Sequence, residues 1–193
     1  LGDYAHFRED IRIPLDPFCG TMGVAPLEEG ETPIMPPGRH GGNMDVKHLT
    51  KGSKLLLPIW VKGALFSLGD GHAAQGDGEV CVTAIEAPLH VNLKFKLRKG
   101  MNSSYPQFIT PGPLTKRYDE KGYYVTMGIS TDLNEASKSA VKQMVNYISK
   151  QYEMQQWEAY MLSSIVVDLK ISEIVDKPNW IVSAYLPQSI FLD

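Results

Sequence analysis

Residues 89–97 (Leu-His-Val-Asn-Leu-Lys-Phe-Lys-Leu) alternate apolar and polar without a break, the two-residue period of a strand with one buried and one wet face. His90 falls on the wet face. Runs rich in strand-forming residues at 54–61, 79–85, 123–129, 171–175 and 180–185 predict further strands. The first fifty residues hold Pro14, Pro17, Pro26, Pro33, Pro36 and Pro37, too many for helix, and predict short strands and ordered loops. After residue 131 the period becomes helical. Asp132 precedes Leu133 with Glu135 three positions on, a capping-box arrangement, and Ala136, Ala140, Val141, Met144, Val145 and Ile148 follow on one face. A second helix is predicted over 155–169, with Trp157, Tyr160, Met161, Ser164, Ile165 and Asp168 along one stripe. A carboxylate facing a core needs a partner, so Asp168 is expected to bond a neighbouring loop. Strands first and helices later predict an α+β fold that is mainly β, a sandwich- or barrel-like core with two C-terminal helices.

At 193 residues the chain is long enough to bury a core, and it is read as a single region, 1–193, with a possible sub-boundary near 100–120. A net charge of −3 without clustered Lys and Arg excludes a nucleic-acid footprint. The apolar run at 55–61 is interrupted by Pro58 and too short for a bilayer, so no membrane partner is expected. Two cysteines make no disulfide framework, which points to a reducing, cytoplasmic setting. Cys81 reads as a buried strand residue. Cys19 lies in the turn-like Pro17-Phe-Cys-Gly20, where a nucleophilic thiol is conceivable, although no base lies near it in sequence. The opening Leu1-Gly2-Asp3-Tyr4 has neither an initiator Met nor a signal-peptide pattern, and suggests a further segment N-terminal to Leu1.

The densest chemistry lies in Gly69-Asp-Gly-His-Ala-Ala-Gln-Gly-Asp-Gly-Glu79, where three carboxylates, a histidine and a carboxamide are set among four glycines. Glycine permits tight folding and close backbone approach. In extended backbone, residues two apart face the same way, which pairs Asp70 with His72 and Asp77 with Glu79. The same composition also suits a plain turn. The dinucleotide fingerprint, the phosphate loop and the EF-hand calcium loop all fail on spacing. A second polar cluster, Arg39-His-Gly-Gly-Asn-Met-Asp45, places Asn43 and Asp45 two apart, and two clusters within forty residues make a joint site more plausible than either alone.

These two segments, with Ala84-Ile-Glu86, Tyr123-Tyr-Val-Thr126, Glu158-Ala-Tyr160 and Asp168-Leu-Lys-Ile-Ser172, resemble the acetamidase/formamidase family over nearly the whole chain. The resemblance implies hydrolysis of short aliphatic amides such as formamide and acetamide to a carboxylate and ammonia. It also implies a further N-terminal segment, on this chain or another, because the family's chains begin ahead of the matching region.

Amide resonance weakens the carbonyl as an electrophile and makes ammonia a poor leaving group, so a catalyst must supply a nucleophile, an oxyanion stabiliser and a proton. The chain shows no Ser-cis-Ser-Lys arrangement, no Gly-x-Ser-x-Gly elbow and no Cys-Glu-Lys triad. Water activated by a divalent metal is the expected nucleophile, with Asp45, Asp70 and His72 as ligands and the imidazole favouring zinc. Glu79 is the expected base and proton shuttle, and Asp77 its orienter or alternate. Asn43 and Gln75 are expected to bind the amide. Glu86 stands as an outer support of the ligands or a paired strand-edge acid. Two alternatives stay open: a metal-free amidase in which Glu79 or Asp77 activates water directly, and a non-enzymatic β-rich module whose acids hold structural calcium. Open β-edges predict a homo-oligomer.

Overall fold

The computed structural model describes residues 2–100, 103–114 and 117–192. The chain is mainly β with two helices, and it divides into two compact units.

The first unit is built from Leu1–Asp16, Ala74–Ile85 and Thr115–Asp193. A hairpin of β1 (Tyr4–Arg8) and β2 (Ile11–Pro14) opens it. Its main sheet has the antiparallel order β8–β10–β9, with β8 at Tyr123–Ser130, β9 at Asp168–Glu173 and β10 at Trp180–Pro187. The helix α1 (Leu133–Gln151) packs on β8 and β10, and α2 (Gln156–Val166) packs beside it.

The cap expected for α1 forms: Asp132 Oδ1 accepts the Glu135 N–H at 2.9 Å, satisfying one of the free donors of the first turn. Glu135 does not reach back to the cap but pairs with Lys138 at 2.8 Å. Ala136, Ala140, Met144, Val145 and Ile148 are buried, as the helical period requires. Helix and sheet approach closely because the facing residues are small. A Cβ added at Gly128 would lie 1.9 Å from the Ala136 carbonyl oxygen, and Thr126 Oγ1 donates to the Ala140 carbonyl at 2.9 Å. Ile11, Ile13, Met144, Ile148, Leu162, Leu186 and Ile190 fill the core of this unit, each worth about 1.5–3 kcal/mol of burial. A ladder of rings runs along one side, Tyr124 stacked on Tyr147 and Tyr152 stacked on Phe191, with Tyr147 meeting Tyr152 edge-on.

The second unit comprises Pro17–Ala73 and Glu86–Leu114. Its sheet has the order β4–β3–β6, with β3 at Phe18–Gly23, β4 at Gly41–Asn43 and β6 at Ser67–His72; a ribbon of β5 (Lys54–Leu56) and β7 (Gln107–Ile109) accompanies it. Cys19, Met22 and Leu49 form its core, covered by Met44, Val46, Leu55, Phe66 and Leu89. Among the described residues, no helix is long and apolar enough to cross a membrane.

Five expectations need correction. Residues 89–97 alternate yet form no strand: among the described residues none pairs with them, and the segment is exposed over most of its length. The run at 79–85 is a series of turns in which Glu79 and Val82 take positive φ of 42° and 60°, outside the β region. The strand expected over 54–61 stops at Leu56, shortly before Pro58. Finally, α2 ends at Val166, and Asp168 opens β9 rather than closing the helix. The face of α2 is also rotated from the expected stripe: Ala159, Leu162, Ser163, Ser164 and Ile165 are buried, while Trp157, Tyr160 and Met161 are exposed.

Any side chain at Gly128 must displace helix backbone. Gly128→Ala is expected to cost about 3 kcal/mol and to lower the melting temperature by roughly 6–12 °C in a calorimetric scan. An unchanged transition would show that α1 can lift from β8 without cost.

Candidate active site

In the second unit β3 is the central strand, flanked on one side by β4 and on the other by β6. The register sets Phe18 opposite His72 and Cys19 opposite Gly71, while Thr21 lies opposite Asn43. Gly20 is the pivot. Its carbonyl accepts the N–H groups of both Met44 and Asp45 at 3.1 Å, which turns the chain sharply after β4 with Asp45 at φ 50°. Asp70 takes φ 59° within β6, and Asp is among the residues that adopt this region most readily. A Cβ added at Gly20 would lie 2.4 Å from Asp45 Oδ1, 2.6 Å from Asp70 Oδ2 and 3.0 Å from His72 Cε1. The missing side chain is the space into which two carboxylates and an imidazole converge.

His72 is the buried centre of this cluster, 1% exposed, with the Phe18 ring edge-on at 5.2 Å between centroids. Asp70 Oδ1 lies 3.0 Å and Glu86 Oε1 3.3 Å from its Nε2. Asp45 Oδ1 faces the other ring nitrogen, Nδ1, at 3.9 Å. Glu86 arrives by an isolated bridge to His72, and the next residue, Ala87, donates its N–H to the Gly71 carbonyl at 2.7 Å. Thr21 Oγ1 donates to Asn43 Oδ1 at 2.7 Å, and Asn43 Nδ2 donates to Asp45 Oδ2 at 3.0 Å. This relay fixes the Asp45 carboxylate from behind.

Three carboxylates face one imidazole, and a bound cation would offset the repulsion among them. Asp70, His72 and Glu86 offer one donor atom each, all within 4.8 Å of one another, and a nitrogen-plus-carboxylate set suits zinc chemically.

The remaining expected residues belong to the first unit. Gln75 is buried, following the buried Ala73 and Ala74. The N–H of Asp77 donates to Asp168 Oδ1 at 2.9 Å, and its carbonyl accepts the Leu169 N–H at 2.9 Å. Asp168 thus bonds a loop, as its burial demands. Glu79 donates its N–H to the Gly76 carbonyl at 3.1 Å and accepts the Val82 N–H at 2.8 Å.

The residue most easily missed is Gly20. In sequence it only closes the turn-like Pro17-Phe-Cys-Gly20, and the reason for a glycine there, close approach by other groups, shows once β3 is in place. Glu86, expected as an outer support of the ligands or a paired strand-edge acid, stands 3.3 Å from His72 Nε2. Cys19 sits in a strand rather than a turn and is buried.

Two outcomes follow. Gly20→Ala is expected to destabilise the protein by about 1–3 kcal/mol and to shift the His72 imidazole signals in NMR spectra; unshifted signals would show that the space is not needed. Burial first, and then the charge of Asp70, push the Cys19 thiol above its usual range. At neutral pH the group is a protonated thiol, so it should resist a disulfide reagent until the protein is unfolded. Rapid native-state labelling would contradict this.

The family model described as the Acetamidase/Formamidase family matches residues 28–193. The chain is 34% identical over 171 residues to a formamidase of Methylophilus methylotrophus, covering 81% of this chain and 41% of that protein. It is 38% identical over 104 residues to an acetamidase of Mycolicibacterium smegmatis, covering 51% of this chain and 25% of that protein. Among solved structures, the gamma lactamase from Delftia acidovorans superposes with a TM-score of 0.82 at 25% identity, covering 95% of this chain and 59% of that one. The acetamidase from Bacillus halodurans superposes at 0.55 with 33% identity, covering 96% and 59%. The chain therefore spans less than half the length of the formamidase and the acetamidase that it matches in sequence. With the family model matching well over half of its residues, this chain belongs to the Acetamidase/Formamidase family.

Proposed function

We propose that the protein is an amidohydrolase that cleaves short aliphatic amides, formamide and acetamide among them, to a carboxylate and ammonia, using water activated at a divalent metal. The convergence of Asp45, Asp70 and Glu86 on the buried His72, over the bare backbone of Gly20, carries this reading. Relatives named as a formamidase and an acetamidase support the substrate class.

Asp70, Glu86 and the Nε2 of His72 are the residues that would hold the ion, zinc by its donor set. Asp45, on the Nδ1 side, would fix the ring's orientation, a role that outer carboxylates commonly play for ligating histidines. A bound cation supplies Lewis acidity that makes water acidic near neutral pH. The chain's own groups handle the protons. Glu79, with Asp77 as its neighbour or substitute, takes a proton from the attacking water and returns it to the amide nitrogen as the C–N bond breaks. The carboxamides of Asn43 and Gln75 are the candidates for the substrate's carbonyl oxygen and NH₂ group. In the family context, self-association remains part of this reading.

Ammonia release from formamide and acetamide tests it, before and after chelation and after zinc re-addition. Activity should disappear with the chelator and return with zinc. Glu79→Gln should lower kcat by about 10²- to 10⁴-fold, the usual contribution of a proton-transfer group. Turnover indifferent to chelation would replace the metal with a carboxylate acting on water directly. Calcium-dependent melting without turnover would favour a structural calcium site.

A further inference from the structure

The segment 76–83 carries both Asp77 and Glu79, and its backbone is unusual. Gly78, Glu79 and Val82 all take positive φ, at 110°, 42° and 60°. Glycine accepts this freely, but a β-branched valine and a glutamate do not. Such a conformation persists only where the surroundings over-determine it.

The surroundings are the end of α2 and the start of β9, all within the first unit. The Gly76 N–H donates to the Ser164 carbonyl at 2.9 Å, and a Cβ added at Gly76 would lie 2.2 Å from the Val167 carbonyl oxygen. Asp168 and Leu169 grip Asp77 from both sides, one accepting its N–H and the other donating to its carbonyl. The Ser164 hydroxyl accepts the Cys81 N–H at 3.0 Å and donates to the Thr83 carbonyl at 2.6 Å. The Tyr160 hydroxyl donates to the Val80 carbonyl. Finally, the Ile85 N–H closes the segment on the Ala74 carbonyl at 2.9 Å.

Two of these partners are polar side chains with little access to water: Ser164 is 0% and Asp168 5% exposed. Inside a core such groups are tolerated when their bonds are made, and here those bonds go to the backbone on either side of Glu79. A carboxylate bonding a backbone N–H is also about twice as strong as a neutral pair. We infer that Asp168 and Ser164 are positioning residues that hold Glu79 in its working conformation; neither is asked to touch the substrate. This rests on Glu79 serving in proton transfer as proposed above.

The test compares Asp168→Ala, Asp168→Asn, Ser164→Ala and Glu79→Gln with the unaltered protein, using formamide kinetics and amide hydrogen exchange. Asp168→Ala and Ser164→Ala should each lower kcat by at least about tenfold with KM changed by less than about twofold, since misplacing a catalytic group by about 1 Å can cost 10²-fold. Exchange should accelerate by about tenfold or more over 76–83 and stay unchanged in α1. Asp168→Asn keeps a carbonyl oxygen able to accept the Asp77 N–H, and should recover most of both effects. A merely structural role predicts faster exchange throughout the unit and no rescue by Asn, and would overturn the inference. So would unaltered exchange over 76–83, a result that requires no turnover to read. Activity lost in Glu79→Gln but intact in Asp168→Ala would overturn the positioning role alone. Full activity in Glu79→Gln would overturn the proposed base, and the positioning role with it.

Discussion

A buried imidazole can be surrounded by carboxylates only if the strand beneath them leaves room, and Gly20 leaves it. Its carbonyl draws the chain in after β4, and its missing side chain makes space for Asp45 and Asp70 above the same point. The left-handed conformations of Asp45 and Asp70 follow from this convergence, because each must turn its carboxylate back towards one position. The relay from Thr21 through Asn43 to Asp45 and the bridge that delivers Glu86 are arranged around the same gap. Such a collection of like charges is costly in isolation, and that cost is the physical ground on which a bound cation is proposed.

The first unit solves a different problem. Its loop at 76–83 holds polar groups in an unfavourable backbone, and its stability is supplied by neighbours rather than by local preference. The small residues that let α1 settle on β8 and β10, the buried hydroxyl of Ser164 in α2 and the buried carboxylate of Asp168 in β9 all belong to this unit. Strain at the loop is thus set against dense packing elsewhere in the same unit.

Much of this was legible from residue order. The cap at Asp132 and the apolar face of α1 emerged because helical period and capping are local physics. The pairing of Asp70 with His72 followed from two-residue alternation. What stayed hidden depended on distant partners. Residues 89–97 have ideal alternation but no strand to join among the described residues, and the register of β3 against its neighbours, which makes Gly20 important, cannot be read from Pro17-Phe-Cys-Gly20 alone. The exposed Trp157 and Tyr160 show the same limit: both suit a core, but the face of α2 that meets the rest of the unit is the one bearing small residues and serines.

The first unit is assembled from three separated stretches of chain, and this bears on how it is made. Ile11 is fully buried and bridges Phe191, and Asp10 accepts the N–H of Leu192 at 2.9 Å. On the ribosome the β1–β2 hairpin therefore emerges long before the residues that cover it. Until the stretch around Phe191 is synthesised, Ile11 lacks its bridge partner. The hydrogen bond from Leu192 to Asp10 and the bridge from Phe191 to Ile11 thus tie two distant stretches of sequence into one unit, and that tie forms only once both have been made.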